Sequence, residues 1–387
     1  MDRRRFLKIA GLGATTIAFA GVGGLTWRAA DGGVFATGTG PAYAAWGQAG
    51  TAGQGSVGLV RAAVLAANAH NAQPWHFRVG PDRIDLFADT SRSIGTMDPL
   101  GREMQISLGC AIENLVLAGP PNGEAPTVAL LPDPSDRTHI ARVDLVPTQR
   151  SASALFAAIP VRHTNRAAYD IRRSVAAGQL DALGSLVDTP DVELVWFTKT
   201  AAKRAFGDLT TRATARIIAD ARQAADDFAW YRTDWDEIQA KKDGITIDPS
   251  GQSALIRSLA KVLPVSQKQN NDGWLSGTRD SQVPTAAAFG ALLVRDPLDP
   301  ILRLRAGRIW QRLHLSATVR GLGMQPLCQV PERIDRERSA GLPADFTSAM
   351  AAMLPARSHA IMTFRIGYPT SDALLSPRRP ASDVTLT

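Results

Sequence analysis

Two short segments, far apart in the chain, set the tightest limit on how it can fold. The first is Asn68-Ala69-His70-Asn71-Ala72-Gln73-Pro74-Trp75-His76-Phe77. It joins small polar residues to a proline that fixes its own backbone angle and an aromatic suited to a core. The second is Arg162-His163-Thr164-Asn165-Arg166. Its two arginines and hydroxyl alternate, so on an extended segment all three side chains point one way. Such a cluster can hold a phosphate, because a guanidinium fork matches an oxyanion geometrically. A solvated basic turn is the bland reading of the same residues.

At 387 residues the chain can bury a large core, as one extended domain or two of ordinary size. Apolar residues make up 45% and charged residues 20%, the balance of a folded globular protein. The net charge is +7, of which the first 44 residues carry +3 (Arg3, Arg4, Arg5, Lys8 and Arg28 against Asp2 and Asp31), leaving +4 for the rest. No basic run is interleaved with aromatics, so nucleic acid is not an expected partner. Cys110 and Cys328 lack zinc or CxxC spacing, and the six histidines form no HxxxH or HExxH pair. No metal site is therefore expected.

Residues 2–8, Asp-Arg-Arg-Arg-Phe-Leu-Lys, match a twin-arginine export signal with Arg3 and Arg4 as the pair. A Gly/Ala-rich, mildly apolar stretch follows, and Ala42-Tyr43-Ala44 offers an A-x-A peptidase site. The expected destination is periplasmic or extracellular, or membrane-tethered if the signal stays uncleaved. Residues 45–56 read as a linker. Beyond it, periodicity predicts a helix over 57–69, strands over 75–79 and 83–87, and a helix over 102–118 stopped by Gly119-Pro120-Pro121-Asn122-Gly123. Strands follow over 127–131, 139–146, 192–197 and 358–366, with long helical stretches near 200–240 and 300–320. Residues 250–298 read as a long insertion suited to a cover.

Taken together these segments resemble the FMN-dependent nitroreductase family, and its lidded, Acg-like branch most of all. The resemblance rests on N-x-QPW-x-F and R-x-T-x-R, on Gly321-Leu322-Gly323-Met324-Gln325-Pro326-Leu327-Cys328-Gln329, and on Ser376-Pro377-Arg378-Arg379-Pro380. In the family the arginine clamp precedes QPW; here it follows. That inversion implies two half-copies fused in one chain, 57–150 and 151–387, together building one FMN site in an α+β fold of mixed sheet flanked by helices.

The resemblance implies roles for particular residues. Arg162, Thr164, Arg166 and Arg379 would hold the FMN phosphate. Asn68, Asn71 and Gln73 would wall the ribityl chain and ring edge. Pro326 and Leu327 would lie on the ring, with the Cys328 backbone N–H at N5. Tyr231-Arg232 is a weak candidate for the N1/O2 end. The Asp98-Pro99-Leu100-Gly101-Arg102-Glu103 cluster is sufficiently explained as a capped helix start. The implied activity is two-electron transfer through FMN to a small-molecule electron acceptor, in a monomer or homodimer exported by the twin-arginine machinery. The alternatives are a storage protein that shields FMN beneath a lid, and a structural or receptor-like protein with a vestigial site.

Overall fold

A computed structural model describes residues 31–386. The arginine pair at Arg3 and Arg4 lies outside the described residues. Within them, no helix is long and apolar enough to cross a membrane.

Two sheets carry the fold. The first is built from β1 (Trp75–Val79), β2 (Arg83–Ala88), β3 (Glu124–Leu130), β4 (His139–Pro147) and a short β9 (Thr385–Leu386). Its order is β3-β4-β2-β1-β9, antiparallel throughout except where the C-terminal β9 runs parallel to β1. The second holds β5 (Glu193–Phe197), β6 (Ala288–Val294), β7 (Gly323–Pro326) and β8 (His359–Gly367) in the antiparallel order β5-β6-β8-β7. Strand β1 buries Trp75 and Phe77 and exposes Arg78, the period of two that the sequence shows.

Two long helices cross between the sheets, α1 (Arg102–Asn122) and α2 (Pro300–Val319). They meet at Gly109 and Gly307, each seven residues after its helix's first residue. A Cβ at Gly109 would lie 2.2 Å from Leu304 O, and one at Gly307 would lie 2.1 Å from Ile106 O. Only glycine permits the backbones to approach so closely. The start of α1 is capped by Asp98, which accepts from Glu103 N at 3.0 Å and Met104 N at 2.9 Å.

Several expectations need correction. Helix α1 runs through Pro120 and Pro121 and ends at Asn122, with Gly123 left-handed as its cap. The prolines fall in the last turn, where α1 already ends. The long stretch near 200–240 is broken at Asp220, which ends α3 (Thr200–Ala219) and caps α4 (Ala221–Phe228) through Arg222 N and Gln223 N. Residues 250–298 are not one insertion. They hold α5 (Ala254–Val262) and α6 (Gln267–Gly277), but end in β6, an interior strand whose seven residues are all buried.

The linker and peptidase site also differ from expectation. Residues Ala44–Gln48 form a helix with Trp46 buried, and Ala42 and Tyr43 are core residues. The tail fastens them: Arg378 N donates to Ala42 O at 2.7 Å, and Trp46 Nε1 donates to Ser376 O at 2.8 Å. Of the Ala42-Tyr43-Ala44 stretch, Ala42 and Tyr43 are packed and Ala44 is exposed.

Candidate functional site

A cavity of about 460 Å³ lies where the two halves of the chain meet, within the usual range for small-molecule sites. Its floor is apolar, from Ile106, Cys110, Trp310 and Met362 on or beneath the crossing helices and β8. One wall is the 67–70 loop, another the Thr164–Arg166 segment, and a third Pro326 and Cys328 at the end of β7. Ile256, Leu259, Asn270 and Trp274, from α5 and α6, face it from the remaining side.

Five of the residues named from sequence therefore line one cavity: Asn68, Thr164, Arg166, Pro326 and Cys328. The other five lie off it, each for a visible reason. Arg162 is buried behind the wall, its Nη2 donating to Leu65 O at 2.9 Å. The 162–166 segment is not a regular strand, so the alternation does not bring all three side chains to one side. Leu327 packs into the core behind β7, its N–H donating to Thr363 O at 2.8 Å.

Asn71 and Gln73 are fasteners. Asn71 Nδ2 donates to Pro377 O at 2.8 Å and Gly244 O at 3.1 Å. Gln73 Nε2 donates to Lys242 O at 2.8 Å and its Oε1 accepts from Arg379 N at 2.8 Å. The loop between them is strained: His70, Asn71 and Gln73 all have φ near +50°. A left-handed residue costs roughly 1–2 kcal/mol, and these side-chain bonds, with Asn68 Oδ1 accepting Gln73 N at 2.8 Å, hold it in place. Arg379 spends its donors on Gln73 O and Asp383 O.

The neighbouring Arg378 is the residue sequence reasoning overlooked. It is buried, bonded to Asn71 Oδ1 and Ser376 Oγ, and its Nη2 reaches Ala66 O at 3.5 Å. Arg162 and Arg378 thus grip successive carbonyls just before the cavity loop. Among the described residues neither pairs with a carboxylate, and Arg166 has none either. Burial brings Arg162 down to about 10, and burial with repulsion from Arg162 lowers Arg378 well below the usual arginine range. The same causes, burial first and then the two arginines, push His163 down to about 3. This end of the cavity is strongly electropositive.

The opposite end is acidic. Glu103, Glu332 and Asp227 line it, with Arg102 and His70. Arg102 Nε donates to Asp335 Oδ2 at 2.6 Å and Nη1 to Ile361 O at 2.8 Å. His70 Nε2 lies 2.9 Å from Asp227 Oδ1. Burial pushes the Cys328 thiol up, and its Sγ rests near Thr363 O, so it is no thiolate. Tyr231 and Arg232 line the cavity as well, Arg232 Nε being tied to Asp243 Oδ1 at 3.0 Å. The Asp98–Glu103 cluster is both a capped helix start and a cavity wall. Only its first role was legible, since the second depends on where α1 packs. Among the described residues no His/Cys/Asp/Glu group could hold a metal ion.

No family model matches the chain. Two proteins of Mycobacterium tuberculosis do. The chain is 28% identical over 329 residues to "Putative NAD(P)H nitroreductase Rv3131", covering 84% of this chain and 88% of that one. It is 31% identical over 88 residues to "Putative NAD(P)H nitroreductase acg", covering 23% and 27%. Among solved structures, the FMN-dependent nitroreductase NfnB from Mycobacterium smegmatis in complex with NADPH overlaps 60% of this chain and 97% of its own. That overlap has 17% identity and a TM-score of 0.37. A nitroreductase with bound FMN from Bacteroides fragilis overlaps 61% and 100%, with 13% identity and a TM-score of 0.36. The similarity to Rv3131 runs through most of both chains, so a protein named "Putative NAD(P)H nitroreductase" is what this chain is similar to along most of its length.

Proposed function

We propose that this chain is an FMN-dependent oxidoreductase that holds its flavin in the cavity beside the crossing helices α1 and α2. The observation that carries the reading is one electropositive end, made by Arg166 beside Thr164 with Arg162 and Arg378 behind, joined to an apolar floor. Arginines buried without carboxylates cost free energy that a bound phosphate would offset. Of the three arginines, Arg166 lines the cavity and can reach a phosphate directly, while Arg162 and Arg378, off its lining, add charge from behind. The flavin, when bound, supplies hydride chemistry. The protein's residues orient it and exclude water. Thr164 and Arg166 would hold the phosphate, Asn68 the polar edge of the cavity, and Pro326 and Cys328 the ring side.

Helices α5 and α6 would be the lid. None of the residues of α5 is fully buried, and its Ile256 and Leu259 face the cavity. Two fused halves account for the two sheets and for the matched glycines of α1 and α2. The Arg3–Arg4 pair supports export by the twin-arginine route, so Arg3→Lys with Arg4→Lys should retain the precursor in the cytoplasm; normal export of that variant would overturn the route.

Anaerobic addition of NADPH or NADH to the FMN-loaded protein tests the activity. Bleaching of the flavin band, restored by a quinone or nitroaromatic, is the expected result. A flavin that dithionite bleaches but neither nucleotide does would contradict a nicotinamide-driven enzyme.

A further inference from the structure

Most charges at the acidic end of the cavity already have partners within the protein. Arg102 is already neutralised by Asp335 at 2.6 Å, and Asp98 is spent on two helix N–H groups. His70 has Asp227. Glu103, at the start of α1, shares Arg102 Nη2 at 3.4 Å, and Glu332, on the helix Gln329–Ala340, comes close enough from its own element for the two carboxyls to interact. Both are over nine-tenths buried and both line the cavity. Two interacting carboxyls in a sheltered site resist ionising together, so the pair retains a proton that Glu332 can offer to the cavity. No protein group donates to Glu332 Oε2. Beside it, Gln329 Oε1 is buried, faces the cavity and has no partner. The site is built to meet a ligand.

We propose that Glu332, held by Glu103, is the proton donor to the acceptor reduced in this cavity. The proposal rests on the flavin reading above. The acceptor class is one whose oxygen becomes basic as it takes electrons, a chemistry shared by quinones and nitroaromatics. Two electrons and one hydrogen reach it as hydride from the reduced cofactor. The O–H bond of Glu332 breaks as a new O–H bond forms on the acceptor oxygen. A quinone becomes a hydroquinone; a nitro group becomes nitroso and releases water. The Glu332 carboxylate is then reprotonated from solvent.

The groups facing the pair support this assignment. Burial, then the Glu103 charge, raises the Glu332 carboxyl well above the usual range, against the pull of Arg102. Asp98, Asp227, His70, Cys328 and Asp335 complete the surroundings, and Arg102 is the nearest permanent cation. That shift favours the protonated form, which a general acid requires.

Two measurements on the full chain decide it. The infrared difference between the protein and its Glu332→Gln variant should show loss of a protonated-carboxyl C=O band near neutral pH, whether or not flavin is bound. No lost band overturns the proposal and leaves the flavin reading standing; a lost band in a protein that binds no flavin sinks only that reading. In stopped flow, the reduced variant should be reoxidised at least tenfold more slowly than the parent by p-benzoquinone and by nitrofurazone. If only one is slowed, the acceptor class narrows to that one. Ferricyanide, which takes electrons without a proton, should be slowed far less. Equal slowing by all three oxidants would mean that Glu332 merely shapes the site, and would overturn the proton-donor role.

Discussion

Arg166 and Arg379 look alike in sequence and are opposite in structure. Arg166 lines the cavity without a carboxylate; Arg379 is occupied by Gln73 O and Asp383 O. A charge-assisted hydrogen bond contributes about 1.5–3 kcal/mol, so Arg166→Ala should weaken FMN binding roughly tenfold to a hundredfold. Arg379→Ala should change it little. Fluorescence titration with FMN checks both, and equal losses would move the phosphate elsewhere. His70 gives a second prediction. Burial pulls its pKa down, but the Asp227 bond and the charges of Asp227, Glu103 and Asp98 outweigh this, leaving it raised. A raised folded pKa contributes stability that is full below about 6.5 and fades as pH rises through the folded value. Urea midpoints should therefore fall from pH 6 upward, and His70→Gln should flatten that slope. An unchanged slope would mean that the imidazole is neutral in the folded protein.

Among the elements, the segment expected to be an insertion was misjudged in extent. A stretch polar at first and then rich in small residues suggested one long insertion over 250–298. The run Ala288-Phe289-Gly290-Ala291-Leu292-Leu293-Val294 belonged with it only because a strand buried on both faces shows no alternation. The segment 278–285 is also structural: Thr278 is fully buried, and Arg365 donates to Gln282 O at 3.1 Å. The cover proposed above narrows accordingly to α5 with its flanks. Replacing Ser253–Val265 by a short Gly/Ser linker should speed flavin reduction by dithionite while FMN stays bound. If reduction is equally fast in the intact chain, α5 shields nothing.

Over the whole molecule, what sequence showed well was what local chemistry fixes. Alternation gave β1 and β2, and the capped start at Asp98 gave α1. Of the R-x-T-x-R segment, Thr164 and Arg166 line a wall of the cavity. What it could not show was set by packing: that Arg162 turns behind Leu65, that Arg378 rather than Arg379 enters the basic cluster, and that Glu103 meets Glu332 across the cavity. Those depend on how α1, the helix Gln329–Ala340 and the C-terminal tail come together, and no single segment records it. The central claim remains that one electropositive end and one apolar floor make one flavin site per chain. Absorbance and extracted-flavin analysis of the purified protein after incubation with FMN test it most directly. The account predicts a yellow protein with one FMN per chain; a colourless protein, or two FMN per chain, would contradict it.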